Sequence, residues 1–176
     1  MVECLHGHDV AYVEASRGYG KTASLLYCMR RDLQDAEQDG RRCVVYFATH
    51  TARDLEEARL HYRNDCASRS LPDADVAWCT PADLGRQLRS AEGHVLLYLD
   101  DADEYPSQLY DALNSFVLPY MEAALVNPAF SLKARFACRT LCYSPDESFT
   151  LASRVRVLNP KPKRHTCIMI VSAPDT

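Results

Sequence analysis

The sequence predicts an α/β domain with a mostly parallel central sheet and helices on both faces. Three observations predict it. Apolar runs without alternation, such as Cys43-Val44-Val45-Tyr46-Phe47-Ala48 and Val95-Leu96-Leu97-Tyr98-Leu99, read as strands covered on both faces. Between them, apolar residues recur at three- and four-residue steps, the period of a helix. The two kinds of segment alternate along the chain, which makes successive strands parallel through crossover helices.

Taken in order, Val10-Ala11-Tyr12-Val13 is the first strand. A Gly-containing turn leads into a helix from about Lys21 to Glu37, with Leu25, Leu26, Cys28, Met29 and Leu33 on its apolar face. Asp39-Gly40 ends that helix, and Cys43 to Ala48 is the second strand. Thr51 has the chemistry of an N-cap for a helix through Leu55, Ala58 and Tyr62. Val76-Ala77-Trp78-Cys79 is the third strand, and Pro81 to Arg89 a short helix opened by proline. Val95 to Leu99 is the fourth strand, ending in acid. Ser107 to Val126 reads as a helix kinked or broken at Pro119. The rhythm then loosens. Residues 128–164 are expected to form an insertion between the fourth and fifth core strands, at one sheet edge, with short strands at Phe136 to Tyr143 and Val155 to Leu158. Cys167 to Val171 is the fifth core strand.

Composition narrows the functional classes. At 176 residues the chain has the size of one domain. The 20 Lys and Arg against 24 Asp and Glu give a net charge of −4, so any contact with DNA is a local patch, not a basic coat. No apolar run approaches the ~20 residues of a membrane span, and the N-terminus lacks the basic and apolar regions of a signal peptide. A soluble, intracellular protein is expected. The eight cysteines contain no Cys-x-x-Cys pair and read as reduced thiols. Cys4, His6 and His8, or Cys138 and Cys142, offer metal-ligating atoms, but neither set has a second pair at zinc-finger spacing. The Lys161-Pro162-Lys163-Arg164 run suits a solvated loop, a phosphate contact or a targeting signal.

The chemistry concentrates at two places. Glu14-Ala15-Ser16-Arg17-Gly18-Tyr19-Gly20-Lys21-Thr22 lies between the first strand and the first helix, the context a phosphate-binding loop needs. Gly18 and Gly20 let backbone N–H groups turn onto phosphate oxygens, and the helix N-terminus adds partial positive charge. Lys21, expected to be exposed, can reach the terminal phosphates of ATP, and the Thr22 hydroxyl can ligate Mg²⁺. Arg17 stands inside the loop, where it can serve as an arginine finger in cis, as a ground-state phosphate clamp, or as a solvated or acid-paired loop cation. The second place is Asp100-Asp101, at the end of an apolar strand and hence at the ligand-facing edge of a parallel sheet. Asp100 would hold Mg²⁺, and Asp101 would orient and deprotonate the attacking water. Asp101 and Asp103 also suit an acidic turn that caps the next helix. Glu104 is the reserve base.

The loop Ala15 to Thr22 resembles motif I of superfamily 2 helicases. Asp100-Asp101-Ala102-Asp103 resembles their motif II, with Asp101 where those proteins have Glu. Phe47 to Leu55 and Cys79 to Leu84 resemble motifs Ia and Ib, and Ser172-Ala173-Pro174 falls where motif III would lie. The Ser16-Arg17-Gly18-Tyr19-Gly20-Lys21-Thr22 form is also similar to the P-loop of the large terminase subunit of tailed phages and herpesviruses, and Ile168 to Thr176 is similar to its coupling motif. This resemblance implies a RecA-like P-loop NTPase that hydrolyses ATP with Mg²⁺ and powers translocation or packaging of double-stranded DNA. It implies coupling through Ser172, Ala173 and Pro174. It also implies assembly into a homo-oligomer with other terminase subunits and the portal protein, in the nucleus or cytoplasm of an infected cell. On this reading 1–176 is a single ATPase domain, expected to be a piece of a longer protein whose nuclease domain lies elsewhere. Two alternatives are the first RecA-like domain of a superfamily 2 helicase, and a nucleotide-binding assembly module that does not hydrolyse.

Overall fold

The computed structural model describes residues 9–15, 17–69, 71, 74–139 and 166–170. In chain order the elements are β1 (Val10–Glu14), α1 (Lys21–Gln38), β2 (Cys43–Ala48), α2 (Ala52–Ser68), β3 (Val76–Cys79), α3 (Pro81–Leu88) and β4 (His94–Leu99). A 3-10 turn (Ala102–Glu104) follows, then α4 (Pro106–Ala112), a π turn (Leu113–Val117), α5 (Leu118–Val126), β5 (Ser131–Cys138) and β6 (Thr166–Ile170). The six strands form one sheet in the order β3-β2-β4-β5-β1-β6, and every neighbouring pair is parallel. All strand C-termini therefore lie along one edge.

The helices cover both faces, as the alternation of elements predicts. Leu25, Leu26, Cys28 and Met29 of α1 and Leu55, Ala58, Tyr62 and Cys66 of α2 pack on one face, against Ala11, Val13, Phe47, Leu96 and Tyr98. Leu84 and Leu88 of α3, with Leu109, Ala112, Leu113, Phe116, Val117 and Tyr120, cover the other face over Ala48, Leu97, Leu99 and Phe136. Along β4 the residues alternate between these two cores, so burying both faces leaves no polar side of the strand to solvate.

Local signals set the helix boundaries. The Thr51 hydroxyl accepts from the Asp54 N–H at 3.1 Å, which is the cap expected for α2. Pro81 opens α3. The helix expected over Ser107 to Val126 is interrupted by the π turn just ahead of Pro119. Proline has no N–H for the carbonyl four residues back, and its ring crowds that carbonyl; a widened turn relieves both problems. No helix among the described residues is long and apolar enough to cross a membrane.

The insertion expected over 128–164 is corrected at its start. Ser131–Cys138, which takes in the start of the short strand expected from Phe136, is not part of an edge insertion but the interior strand β5, hydrogen-bonded to β4 on one side and to β1 on the other. The strand read as the fifth is β6, on the far side of β1. Charge disguises β5 in the sequence: it carries Lys133 and Arg135, residue types that a strand buried on both faces seldom tolerates. Asp32 of α1 compensates them. It accepts from Lys133 Nζ at 2.7 Å and from the Tyr98 hydroxyl at 2.7 Å, and lies 3.6 Å from Arg135 Nη2. The fully buried Arg135 also donates through Nη1 to the carbonyls of Asp9 and Ala134. The expected strand at Val155 to Leu158, the 161–164 cationic run, Cys142 and the Cys4, His6 and His8 set lie outside the described residues.

Candidate nucleotide site

β1 delivers the chain to the sheet edge, where the N–H of Ala15 donates to the carbonyl of Cys138 at 3.2 Å and fastens the loop entrance to the end of β5. Arg17, Gly18, Tyr19 and Gly20 follow as an exposed loop; Ser16 lies outside the described residues. Gly18 and Gly20 have φ of 87° and 74°, and a Cβ at either would meet nothing within 4 Å. Backbone handedness, not lack of room, is what asks for glycine there. Gly20 is also the N-cap of α1, whose first turn contains no acid and receives no side-chain cap. Its N–H groups face the loop without competition from the helix's own carboxylates.

Lys21 corrects one expectation. It is buried, 7% exposed, and its Nζ donates to the Ala15 carbonyl at 2.9 Å. The ammonium folds back across the loop instead of standing in solvent. Thr22, one residue on, donates its hydroxyl to the carboxylate of Asp100.

Asp100 follows β4 and is 2% exposed. Its N–H donates to the Ala48 carbonyl at 2.8 Å, its carbonyl accepts the Tyr105 hydroxyl at 2.8 Å, and its Oδ1 accepts the Asp101 N–H at 3.0 Å. Burial pushes its carboxyl up to about 6. The Thr22 hydrogen bond opposes the rise, the adjacent Asp101 carboxylate adds to it, and the Asp101 N–H and Lys21 pull it back. Asp101 is partly buried and left-handed at φ 46°, the single non-Gly residue with positive φ among those described. Its carbonyl accepts the Glu104 N–H at 2.9 Å, closing the 3-10 turn.

The structure thus brings Ala15, Lys21, Thr22, Asp100 and Asp101 together, with Arg17 exposed beside them. Ser172, Ala173 and Pro174 lie outside the described residues. Three residues here escape the sequence reading. Arg139, directly after β5, donates from its N–H to Asp103 Oδ1 at 3.0 Å and from Nε to Asp103 Oδ2 at 3.3 Å, and pairs through Nη2 with Glu104. Tyr105 anchors Asp100 and lies parallel to His50, with ring centroids 6.5 Å apart. Thr49, just after β2, is buried, and its hydroxyl has no hydrogen-bond partner among the described residues. Arg139 is hidden by the misplacement of β5; Thr49 and Tyr105 sit in segments whose register alone points to them.

Among the described residues no three His, Cys, Asp or Glu side chains converge to hold a metal ion. One carboxylate and one hydroxyl in contact, from Asp100 and Thr22, could serve as two oxygen donors to a hard cation that takes its remaining ligands from elsewhere. Cys28, Cys43, Cys66 and Cys79 carry free thiols. No protein-family model matches the sequence, and no curated protein matches it.

Proposed function

We propose that this chain is an ATP-binding and ATP-hydrolysing motor domain, similar to the ATPase of a viral large terminase subunit and acting on double-stranded DNA. The observation that carries the reading is the Thr22–Asp100 hydrogen bond. It joins a Gly-rich loop and helix N-terminus, which suit phosphates, to a buried carboxylate, which suits the ion that travels with them. The sheet order supports a RecA-like arrangement. With β5 between them, β1 and β4 stand two strand spacings apart, about 10 Å, which leaves width for a phosphate chain at the edge.

The loop N–H groups and the α1 N-terminus bind the phosphates, and Lys21 exchanges the Ala15 carbonyl for phosphate oxygens. Thr22 and Asp100 would hold Mg²⁺, which supplies charge neutralisation at the phosphates when bound. Asp101 orients the attacking water and accepts its proton, while Arg17 reaches the charge that develops on the terminal phosphate. By the same resemblance the active motor is a homo-oligomer with other terminase subunits and a portal protein.

The test is steady-state ATP turnover with and without double-stranded DNA, in wild type and Lys21→Ala. Turnover raised by DNA and lost in a folded Lys21→Ala protein is expected. Undiminished turnover in that variant removes the phosphate-loop reading. Tight ATP binding without turnover in wild type favours the assembly module.

A further inference from the structure

Arg139 stands between the two halves of the nucleotide site. β5 runs between the strand that enters the Gly-rich loop and the strand that ends on Asp100. The Ala15 N–H is bonded to the residue just before Arg139, and Asp103 and Glu104 hold Arg139 from the other side. The backbone at the end of β5 is thus tied to the loop entrance, while the Arg139 guanidinium is held on the acidic turn. Its side chain is 37% exposed, so the crevice can reach it.

Charge makes the position consequential. Asp100, Asp101, Asp103 and Glu104 put four carboxyl groups within five residues. A polyphosphate brought to this edge meets repulsion from that turn unless cations offset it, and Lys21 lies on the loop side. Arg139 is the cation on the turn itself. Its planar fork suits a phosphate in two-point contact better than a single exposed carboxylate does. Asp103 and Glu104 are partners that a more highly charged, equally well placed anion can displace.

We infer that Arg139 reads the terminal phosphate, exchanging its Glu104 and Asp103 contacts for that group and so favouring a nucleoside triphosphate over the diphosphate. This rests on the nucleotide-site reading above. The loop and Lys21 hold the phosphates common to both nucleotides, and only the triphosphate extends one group further toward the acidic turn. Release of Asp103 and Glu104 then reports the presence of that group to the 3-10 turn.

The experiment is equilibrium titration of the full chain with fluorescent ADP and a fluorescent non-hydrolysable ATP analogue, both with Mg²⁺. Wild type, Arg139→Gln, Arg139→Lys and the double variant Asp103→Asn/Glu104→Gln are compared, with thermal melts to establish folding. Arg139→Gln is expected to weaken the triphosphate analogue on the order of 10-fold or more and ADP by roughly 3-fold at most. Arg139→Lys, which keeps charge but not the fork, is expected to fall between. The double variant frees Arg139 and is expected to tighten the triphosphate analogue, whereas a purely structural clamp predicts weakening. Equal losses for both nucleotides in Arg139→Gln, or weaker triphosphate binding in a folded double variant, overturn the inference while leaving the nucleotide site standing. Absence of binding of either nucleotide to wild type, with no effect of Lys21→Ala, overturns the site and the inference together.

Discussion

The Thr22 hydroxyl donates to the Asp100 carboxylate, so the first turn of α1 and the end of β4 meet across the end of β5. Loop and acid come from segments far apart in sequence, and the sheet order is what brings them together. The contact also ties the protonation of Asp100 to the competence of the site.

Asp100 gives the first prediction. Its carboxyl rises from the ordinary 3.8 of an aspartate to about 6 in the fold, mainly through burial. The native state then holds an extra proton between about pH 4 and 6, and this group's contribution to stability falls as pH rises through that window, by about 3 kcal/mol. Asp100→Asn should therefore raise the melting temperature at pH 8 and leave it nearly unchanged at pH 4. In the same variant Mg²⁺-dependent triphosphate binding should be lost at pH 8, where the wild-type carboxylate is ionised. Thermal melts at the two pH values check the sign; an equal shift at both would show that the carboxylate is not the destabilised species.

Arg17 gives the second. It is exposed in the loop next to Gly18, so its removal should leave stability within about 0.5 kcal/mol of wild type. If it stabilises transition-state charge, Arg17→Ala should lower kcat by on the order of 10³ with little change in nucleotide affinity. Single-turnover kinetics beside equilibrium binding separate the two effects. Parallel losses would assign Arg17 to ground-state phosphate binding.

The choice of base is the third. Asp101 holds its backbone in the left-handed region, and Glu104 is engaged by Arg139. Asp101→Gly should relieve the backbone and stabilise the fold by about 0.5–1 kcal/mol while slowing hydrolysis. Asp101→Asn, which accepts the same backbone, should slow hydrolysis without the gain in stability. Glu104→Gln should retain turnover. Steady-state rates for these variants decide it, and full activity in Asp101→Asn with loss in Glu104→Gln would move the role to Glu104.

Asp32 provides a test of the buried ion cluster. Asp32→Ala leaves Lys133 and Arg135 without their carboxylate and should cost about 3–5 kcal/mol. Tyr98→Phe removes one donor, and it should cost about 1–2 kcal/mol. Urea unfolding at pH 7 measures both. Comparable small losses would mean that the cluster relaxes to water when opened.

Much of the fold and site is legible locally. The α1 and α2 periodicities, the Thr51 cap, Pro81 and the loop between β1 and α1 all announce themselves within a few residues, because helices and turns are set by near neighbours. The acidic end of β4 is equally plain. β5 is not, since the pattern Ser131-Leu132-Lys133-Ala134-Arg135-Phe136 is that of a half-exposed strand, and the carboxylate that lets it be buried stands on α1. The burial of Lys21 is hidden for a related reason: it depends on the loop carbonyl the side chain folds onto, a contact no spacing rule describes.

The sheet order sets the sequence in which the molecule can assemble. β2, β3 and β4 have one another as neighbours and can zip together from residues before 100. β1 pairs with β5 and β6 alone, both supplied from beyond residue 130. During synthesis the strand that launches the Gly-rich loop must wait, unpaired, until residues beyond 130 emerge. The Gly-rich loop, although it precedes β2, β3 and β4 in the chain, thus acquires its shape after they can pair, and its formation reports that the sheet has closed around β1.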